Sequence, residues 1–144
     1  MKLSTRTRYG ARAALEMARS WGKGPIKRHD ISERQAISKA YLENILITLK
    51  SSGLVRTACG AKGGFTLSRA PETISLLDVF NALEGDMAPV DCTVKPGSCL
   101  RSADCVMRRV YERLRKAQEG VLKAYTLQDL VNDSARGERA DFSI

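Results

Sequence analysis

Three of the four cysteines in this 144-residue chain, Cys92, Cys99 and Cys105, fall in one short segment. Thiolates are soft ligands for zinc, iron and copper, and thiols are also the side chains that oxidants change first. The gaps between them, six and five residues, do not follow the paired Cys-x-x-Cys spacing of most zinc sites. A loop of this length can wrap a larger inorganic core in which thiolates meet at iron. A thiol redox switch and a structural zinc site are the competing readings. Cys59 stands apart and reads as a non-ligand.

Three thiols leave one ligand position open. Asp91, Asp104 and Glu112 are carboxylates near them in sequence, and spacing does not choose among them. His29, the single histidine, lies far away on a short polar segment and reads as a surface residue. One histidine also limits acid–base catalysis, and no Ser–His or Cys–His–Asp pattern is present, so the chain is not read as an enzyme.

The second candidate chemistry is electrostatic. Residues 1–69 carry 14 Lys and Arg against 4 Asp and Glu, whereas residues 70–144 carry 10 against 12. A basic first half with a near-neutral second half is built to meet a polyanion, with nucleic acid as the leading candidate. A cluster-carrying electron-transfer protein is the rival class, but it needs no such basic head.

These groups must be positioned by a mostly helical chain. Ala14, Met17, Ala18 and Trp21 place an apolar face on a helix over residues 4–21, closed by Gly22, Gly24 and Pro25. A short polar helix over 27–36 offers Ile31 and Ala36 to the core. Ser38 is a good N-cap for a third helix, about 39–52, with Leu42, Ile45, Leu46 and Leu49 behind. Its front shows Lys39, Ala40, Glu43, Asn44 and Thr48. Residues 54–57 and 65–67 read as strands around a glycine-rich basic tip, residues 59–64. The tip lacks the spacing of a phosphate-binding P-loop and leads into a strand, not a helix.

Three helices and a glycine-tipped hairpin are the order of a winged helix-turn-helix. The third helix has an aliphatic back and a short-chained polar front suited to a major groove. Ser38 and the helix-start N–H groups can hold a phosphate, and Lys39 adds charge. Tyr41 can stack on sugar or bond a phosphate. Glu43 can accept from a cytosine amino group, and Asn44 can read adenine. Gly60 and Lys62 at the wing tip suit the DNA backbone or minor groove. Lys2 and Ser4 at the basic N-terminus complete the set on the head.

Residues 74–84 form another helix, with Leu76, Leu77, Val79, Phe80 and Leu83 facing a core. A loop to about residue 103 carries cysteines, and a long helix over 104–123 follows. Met107, Val110, Leu114, Ala117, Val121 and Ala124 recur at spacings of 3 and 4, a seam for a second helix. The seam predicts a homodimer, and Val106 and Tyr111 offer a separate intrachain face. The fold class is mainly α with a small β-wing. The expected divisions are a winged helix-turn-helix domain over 1–84, a cysteine-bearing sensor loop over 85–103, a dimerisation helix with a short C-terminal helix over 104–133, and a flexible tail over 134–144. No apolar run approaches the ~20 residues of a membrane span, so a cytoplasmic protein with no membrane partner is expected.

The stretches MKLSTRTRYGARAALEMA, ISERQAISKAYLENIL, SGLVRTACGAKGGFTLSR and ALEGDMAPVDC resemble the IscR/NsrR/CymR family of bacterial winged-helix transcription regulators. The resemblance spans residues 1–133, and the ISERQ-x-IS-x-x-YLE stretch most resembles the IscR branch. It implies a homodimeric regulator, repressor in type, that binds palindromic double-stranded promoter DNA. It also implies that Cys92, Cys99 and Cys105 ligate an iron–sulfur cluster, 2Fe–2S in preference to 4Fe–4S, which controls DNA affinity. Family members commonly carry arginine in the wing where this chain has Cys59, so that contact falls to Lys62 or Arg56. Some members use a histidine three residues after the last cysteine, where this chain has Arg108. Others use groups in the first helix, where this chain has Arg8 and Arg12. The fourth ligand is therefore unassigned.

Overall fold

A computed structural model describes residues 2–141, and side chains as far as residue 137. The first helix, α1 (Thr5–Arg19), starts where the Ser4 hydroxyl accepts the Thr7 N–H at 3.0 Å. That bond satisfies one of the N–H groups a helix start leaves free. Ala13, Ala14, Met17 and Ala18 are all buried on one face of α1. Trp21, expected on that face, is 36% exposed. The helix closes at Ser20, so Trp21 lies in the turn beyond it and leaves the helical register.

Helix α2 (Arg28–Gln35) buries Ile31. Ala36, expected in the core, is instead the exposed cap residue after α2, with φ 51°. Its left-handed turn carries the chain on to Ile37, which takes the core place. Helix α3 (Lys39–Ser51) buries Leu42, Ile45, Leu46 and Leu49, as its spacing requires.

The wing is an antiparallel pair, β1 (Val55–Ala58) and β2 (Gly64–Leu67), in register from Val55 opposite Leu67 to Ala58 opposite Gly64. Its other edge is held by Ile26. The Ile26 N–H donates to the Phe65 carbonyl at 2.9 Å, and the Phe65 N–H returns to Ile26 at 2.8 Å. The base of the wing is thereby tied to the segment between α1 and α2.

Helix α4 (Leu76–Glu84) opens with a reciprocal cap. The Ser75 hydroxyl accepts the Asp78 N–H at 3.1 Å, and the Asp78 carboxylate accepts the Ser75 N–H at 2.9 Å. Val79, Phe80 and Leu83 are buried, with Ile74 just ahead of them. Leu76 and Leu77 are only half-buried, because the first turn lies at the edge of the core. Short 3-10 turns occupy Asp91–Thr93 and Pro96–Ser98 in the cysteine loop.

Helix α5 (Val106–Ala124) has no buried residue. Its expected seam lies open: Met107 is 49% exposed, Val110 55% and Val121 60%. Val106, expected on an intrachain face, is 72% exposed. Helix α6 (Leu127–Asp141) returns to the head, and Leu127 is fully buried. Tyr125 and Leu127 bond the backbone of Leu76 and Ile74, both at 2.9 Å. The last helix is therefore longer than the short one expected, and it takes in residues 134–141 of the expected tail. One apolar side, Leu127 and Val131, docks it, so the polar residues that follow can remain helical on its outer face. Residues 142–144 lie outside the described residues. Among the described residues no helix is long and apolar enough to cross a membrane.

Gly64 is where the wing tolerates no side chain. A Cβ there would lie 2.4 Å from the Ile26 carbonyl oxygen and 2.7 Å from its carbon. Both are backbone atoms in a paired bridge and cannot move aside alone. Gly64→Ala should destabilise the chain by about 1–3 kcal/mol, the range of overpacking substitutions. Urea unfolding of the variant against wild type checks it, and an unchanged midpoint would contradict the wing anchoring.

Candidate nucleic-acid interface and cysteine loop

The front of α3 is open. Lys39, Ala40, Glu43, Asn44 and Ile47 are all exposed. The Ser38 hydroxyl is engaged as the cap of this helix, accepting the Tyr41 N–H at 3.3 Å. Tyr41 is half-buried and meets Tyr9 of α1 edge-on, with ring centroids 5.8 Å apart. The Arg12 guanidinium lies 5.3 Å from the Tyr9 ring centre, a cation–π contact. Glu43 forms an ion pair with Arg28, the first residue of α2, at 2.9 Å. Both side chains are partly exposed, so this pair adds little stability.

Two residues of this face escape sequence reasoning. Arg6 of α1 donates to the Thr48 hydroxyl, placing a guanidinium beside the exposed side of α3. Arg28 is brought to Glu43 by the turn between α2 and α3. Neither carries a sequence signal that separates it from neighbouring arginines.

At the wing, Arg56, Cys59, Gly60, Ala61 and Lys62 are all exposed. Gly60 has φ 100°, and its carbonyl accepts the Gly63 N–H at 3.0 Å, closing a tight tip. Lys2 lines a cleft with Leu3, Glu84, Asp86 and Gln118, beside α4 and α5. Ser4 caps α1 and hydrogen-bonds the Glu84 carboxylate of α4.

In the cysteine loop, Cys92 is half-buried in the first 3-10 turn and Cys99 is exposed after the second. Cys105 is half-buried and immediately precedes α5. All three are free thiols. Their donor chemistry suits iron or zinc. Among the described residues, however, no three His, Cys, Asp or Glu side chains are gathered as a metal ion requires. The loop backbone is held from α5. Arg108 donates to the Cys92 and Ser102 carbonyls, both at 3.1 Å, and Arg115 donates to the Thr93 carbonyl at 3.1 Å.

A family model described as Rrf2, iron-dependent transcriptional regulator, matches residues 3–133. The chain belongs to the Rrf2 family. It is 38% identical to the protein named rrf2 of Nitratidesulfovibrio vulgaris, over 94% of this chain and 90% of that one. The structure of CymR, the global cysteine regulator of Bacillus subtilis, superimposes with a TM-score of 0.80 at 33% identity, covering 92% of this chain and 97% of CymR. That of T. potens IscR gives 0.77 at 34% identity, covering 93% and 88%. The Rrf2 chain is thus a DNA-binding transcription regulator with a winged helix, and its family is not one of enzymes.

Within this Rrf2 head, the contact of Ser4 with Glu84 has a pH consequence. The hydroxyls of Ser4, then Thr7, bond the Glu84 carboxylate and hold its pKa below the usual value of 4.5. A carboxylate lowered on folding stabilises the protein above its unfolded pKa, and that contribution disappears as pH falls through the folded value. Glu84→Gln should therefore be less stable than wild type near neutrality, and the gap should narrow below pH 4.5. Parallel thermal melts between pH 7 and pH 3 read this, and a constant gap would count against it.

Proposed function

We propose that this regulator binds palindromic promoter DNA as a homodimer, in the manner of a repressor, and that a cluster on Cys92, Cys99 and Cys105 sets its DNA affinity. The observation that carries the reading is the loop itself. Three free thiols sit on one segment that runs directly into α5, whose apolar seam is open to solvent. Burying a large aliphatic side chain is worth roughly 1.5–3 kcal/mol, so Met107, Val110 and Val121 favour a second copy of α5 as cover. A change in the loop then reaches the dimer seam and the spacing of two DNA-reading heads.

On the DNA side, α3 enters the major groove with Lys39, Tyr41, Glu43 and Asn44, while Arg6 reaches phosphate from beside Thr48. Ser38 acts through the helix start it caps. Arg56, Gly60 and Lys62 bring the wing to the backbone. Ser4 positions α1 against α4, and Lys2 lies toward the cysteine loop, so neither is assigned a base contact. When bound, an iron–sulfur cluster supplies iron that oxygen, nitric oxide or iron shortage can alter. The three cysteines hold it, and the fourth ligand is unassigned. The thiols are not gathered among the described residues, so loading requires the loop to close.

A second reading is a thiol switch without a cluster, and the likeness to CymR, the global cysteine regulator of Bacillus subtilis, supports it. Anaerobic reconstitution with iron and sulfide separates the two. The expected result is stoichiometric iron and sulfide with visible absorbance, lost on serine substitution at Cys92, Cys99 or Cys105 and kept at Cys59→Ser. Protein without iron whose DNA affinity is reversed by thiol reductant alone would establish the switch instead.

The DNA contacts divide by their sequence dependence. Lys62→Ala should weaken binding to all sequences alike and make the salt slope shallower by ~1. Glu43→Ala should change base preference at one position per half-site, read by selection from a randomised site. An unaltered preference would remove Glu43 from the reading set.

A further inference from the structure

We propose that Arg108 is a positioning residue that clamps the cysteine loop at both ends, so that Cys92 is held against the first turn of α5 beside the Cys105 end while Cys99 is the arm that closes. The proposal deepens the sensing reading and rests on it for its purpose, and its contacts are those between the loop and α5.

Arg108 lies one turn into α5, and its guanidinium works as a fork. Nε donates to the Cys92 carbonyl and Nη1 to the Ser102 carbonyl, each at 3.1 Å. The third nitrogen pairs with Glu112, one turn further along, at 3.1 Å, which orients the fork. The two carbonyls lie on opposite sides of Cys99 in sequence, so a single side chain closes the loop across its base. Arg115, two turns from Arg108 on α5, reinforces the same point. It takes the Thr93 carbonyl at 3.1 Å and is oriented by Glu119 at 3.0 Å. Adjacent carbonyls of one 3-10 turn are thus tied to α5 by two arginines, and Thr93 is only 7% exposed there.

Among the described residues α5 gives the middle of the loop no comparable hold; its bonds are local, such as the Ser102 N–H to the Cys99 carbonyl at 3.2 Å. Cys99 is exposed, and Leu100 beside it is fully exposed. The Ser102 hydroxyl bonds Pro96, a contact internal to this segment. Charge-assisted bonds to the ends and none from α5 to the middle divide the loop into two fixed thiols and one mobile thiol. Lysine cannot reproduce the arrangement, because one ammonium does not span two carbonyls as a planar fork does.

The test uses the metal-free full-length protein and iodoacetamide, with each cysteine followed by mass spectrometry. In wild type, Cys99 should be alkylated faster than Cys92 and Cys105. Arg108→Ala should raise the rates at Cys92 and Cys105 by roughly tenfold, as expected when charged hydrogen bonds that limit local opening are lost. Cys99 and Cys59 should be unchanged. Loss of positive charge alone acts in the opposite direction, since a nearby cation favours the reactive thiolate. Arg108→Lys should restore protection only in part, and Glu112→Gln should give a smaller rise at Cys92. Unchanged rates at Cys92 and Cys105 overturn the clamp. A uniform rise at all four thiols in Arg108→Ala also overturns it, unless Glu112→Gln still raises Cys92 selectively. Iron uptake is measured separately on the same variants. Failure of wild type to take up iron removes the cluster but leaves the alkylation pattern standing, whereas iron uptake with unaltered alkylation removes the clamp alone.

Discussion

The whole arrangement hangs on how closely α1 can be approached. Its face carries Gly10, Ala13 and Ala14, small residues that let other helices lie almost against its backbone. A Cβ on Gly10 would fall 2.2 Å from a methyl carbon of Leu83, so α4 crosses α1 where there is no side chain to spare. Around the same helix stand the buried Leu42, Ile45 and Leu46 of α3 and Leu127 of α6, in one aliphatic core. Few aromatics are needed, because close helix approach recovers the dispersion that larger side chains would supply. Helices α3 and α6 are thereby packed on one common support.

A run of contacts along that support joins the cysteine loop to the exposed side of α3. Arg108 and Arg115 connect the loop to α5, and Arg115 also lies 3.8 Å from Asp86 at the end of α4. Glu84, two residues earlier, is bonded by Ser4 and Thr7 at the start of α1. Arg6, in that same first turn, reaches Thr48 on α3. The steps alternate between side-chain contacts and short stretches of backbone. The loop, the end of α4, the start of α1 and the exposed side of α3 are thus neighbours in one run of contacts within a single chain.

Much of this was legible because helical periodicity reports burial directly. The α3 spacing of Leu42, Ile45, Leu46 and Leu49, the Ser38 cap and the glycine wing all follow from local rules. The failures lie where periodicity was carried past a helix end. Trp21 and Ala36 both continue an apolar pattern, yet each sits beyond the last turn, where the chain has left the helical register. The length of α6 was hidden for another reason: a helix docked through one narrow side looks polar, and its anchoring by Leu127 is a tertiary fact. The site divides the same way. Cysteine clustering and the open polar face of α3 are properties of sequence spacing, whereas Arg6 and Arg28 gain meaning only from the residues that folding places opposite them.

The basic surplus of the first half is also less available than its size suggests. Glu16 is 2% exposed and takes Arg19 at 2.8 Å, Arg34 at 3.4 Å and the Gln35 amide at 2.6 Å. A carboxylate so buried is tolerable only with its charge and hydrogen bonds satisfied, and here those partners join α1 to α2. Arg28 is paired with Glu43, and Arg12 lies over Tyr9 while donating to Gln35 at 2.7 Å. These arginines shape the head before any nucleic acid arrives. Exposed cations of the first half outside these contacts include Arg8, Lys23, Lys27, Lys39, Lys50, Arg56 and Lys62, spread over α1, the turn after it, α3 and the wing. Counterion release on binding a polyanion is therefore bounded by the cations left open and not by the full positive count, because only charges that reach phosphate displace ions. Part of the sequence's basic asymmetry thus holds α1 to α2, and only the remainder is open to an outside polyanion.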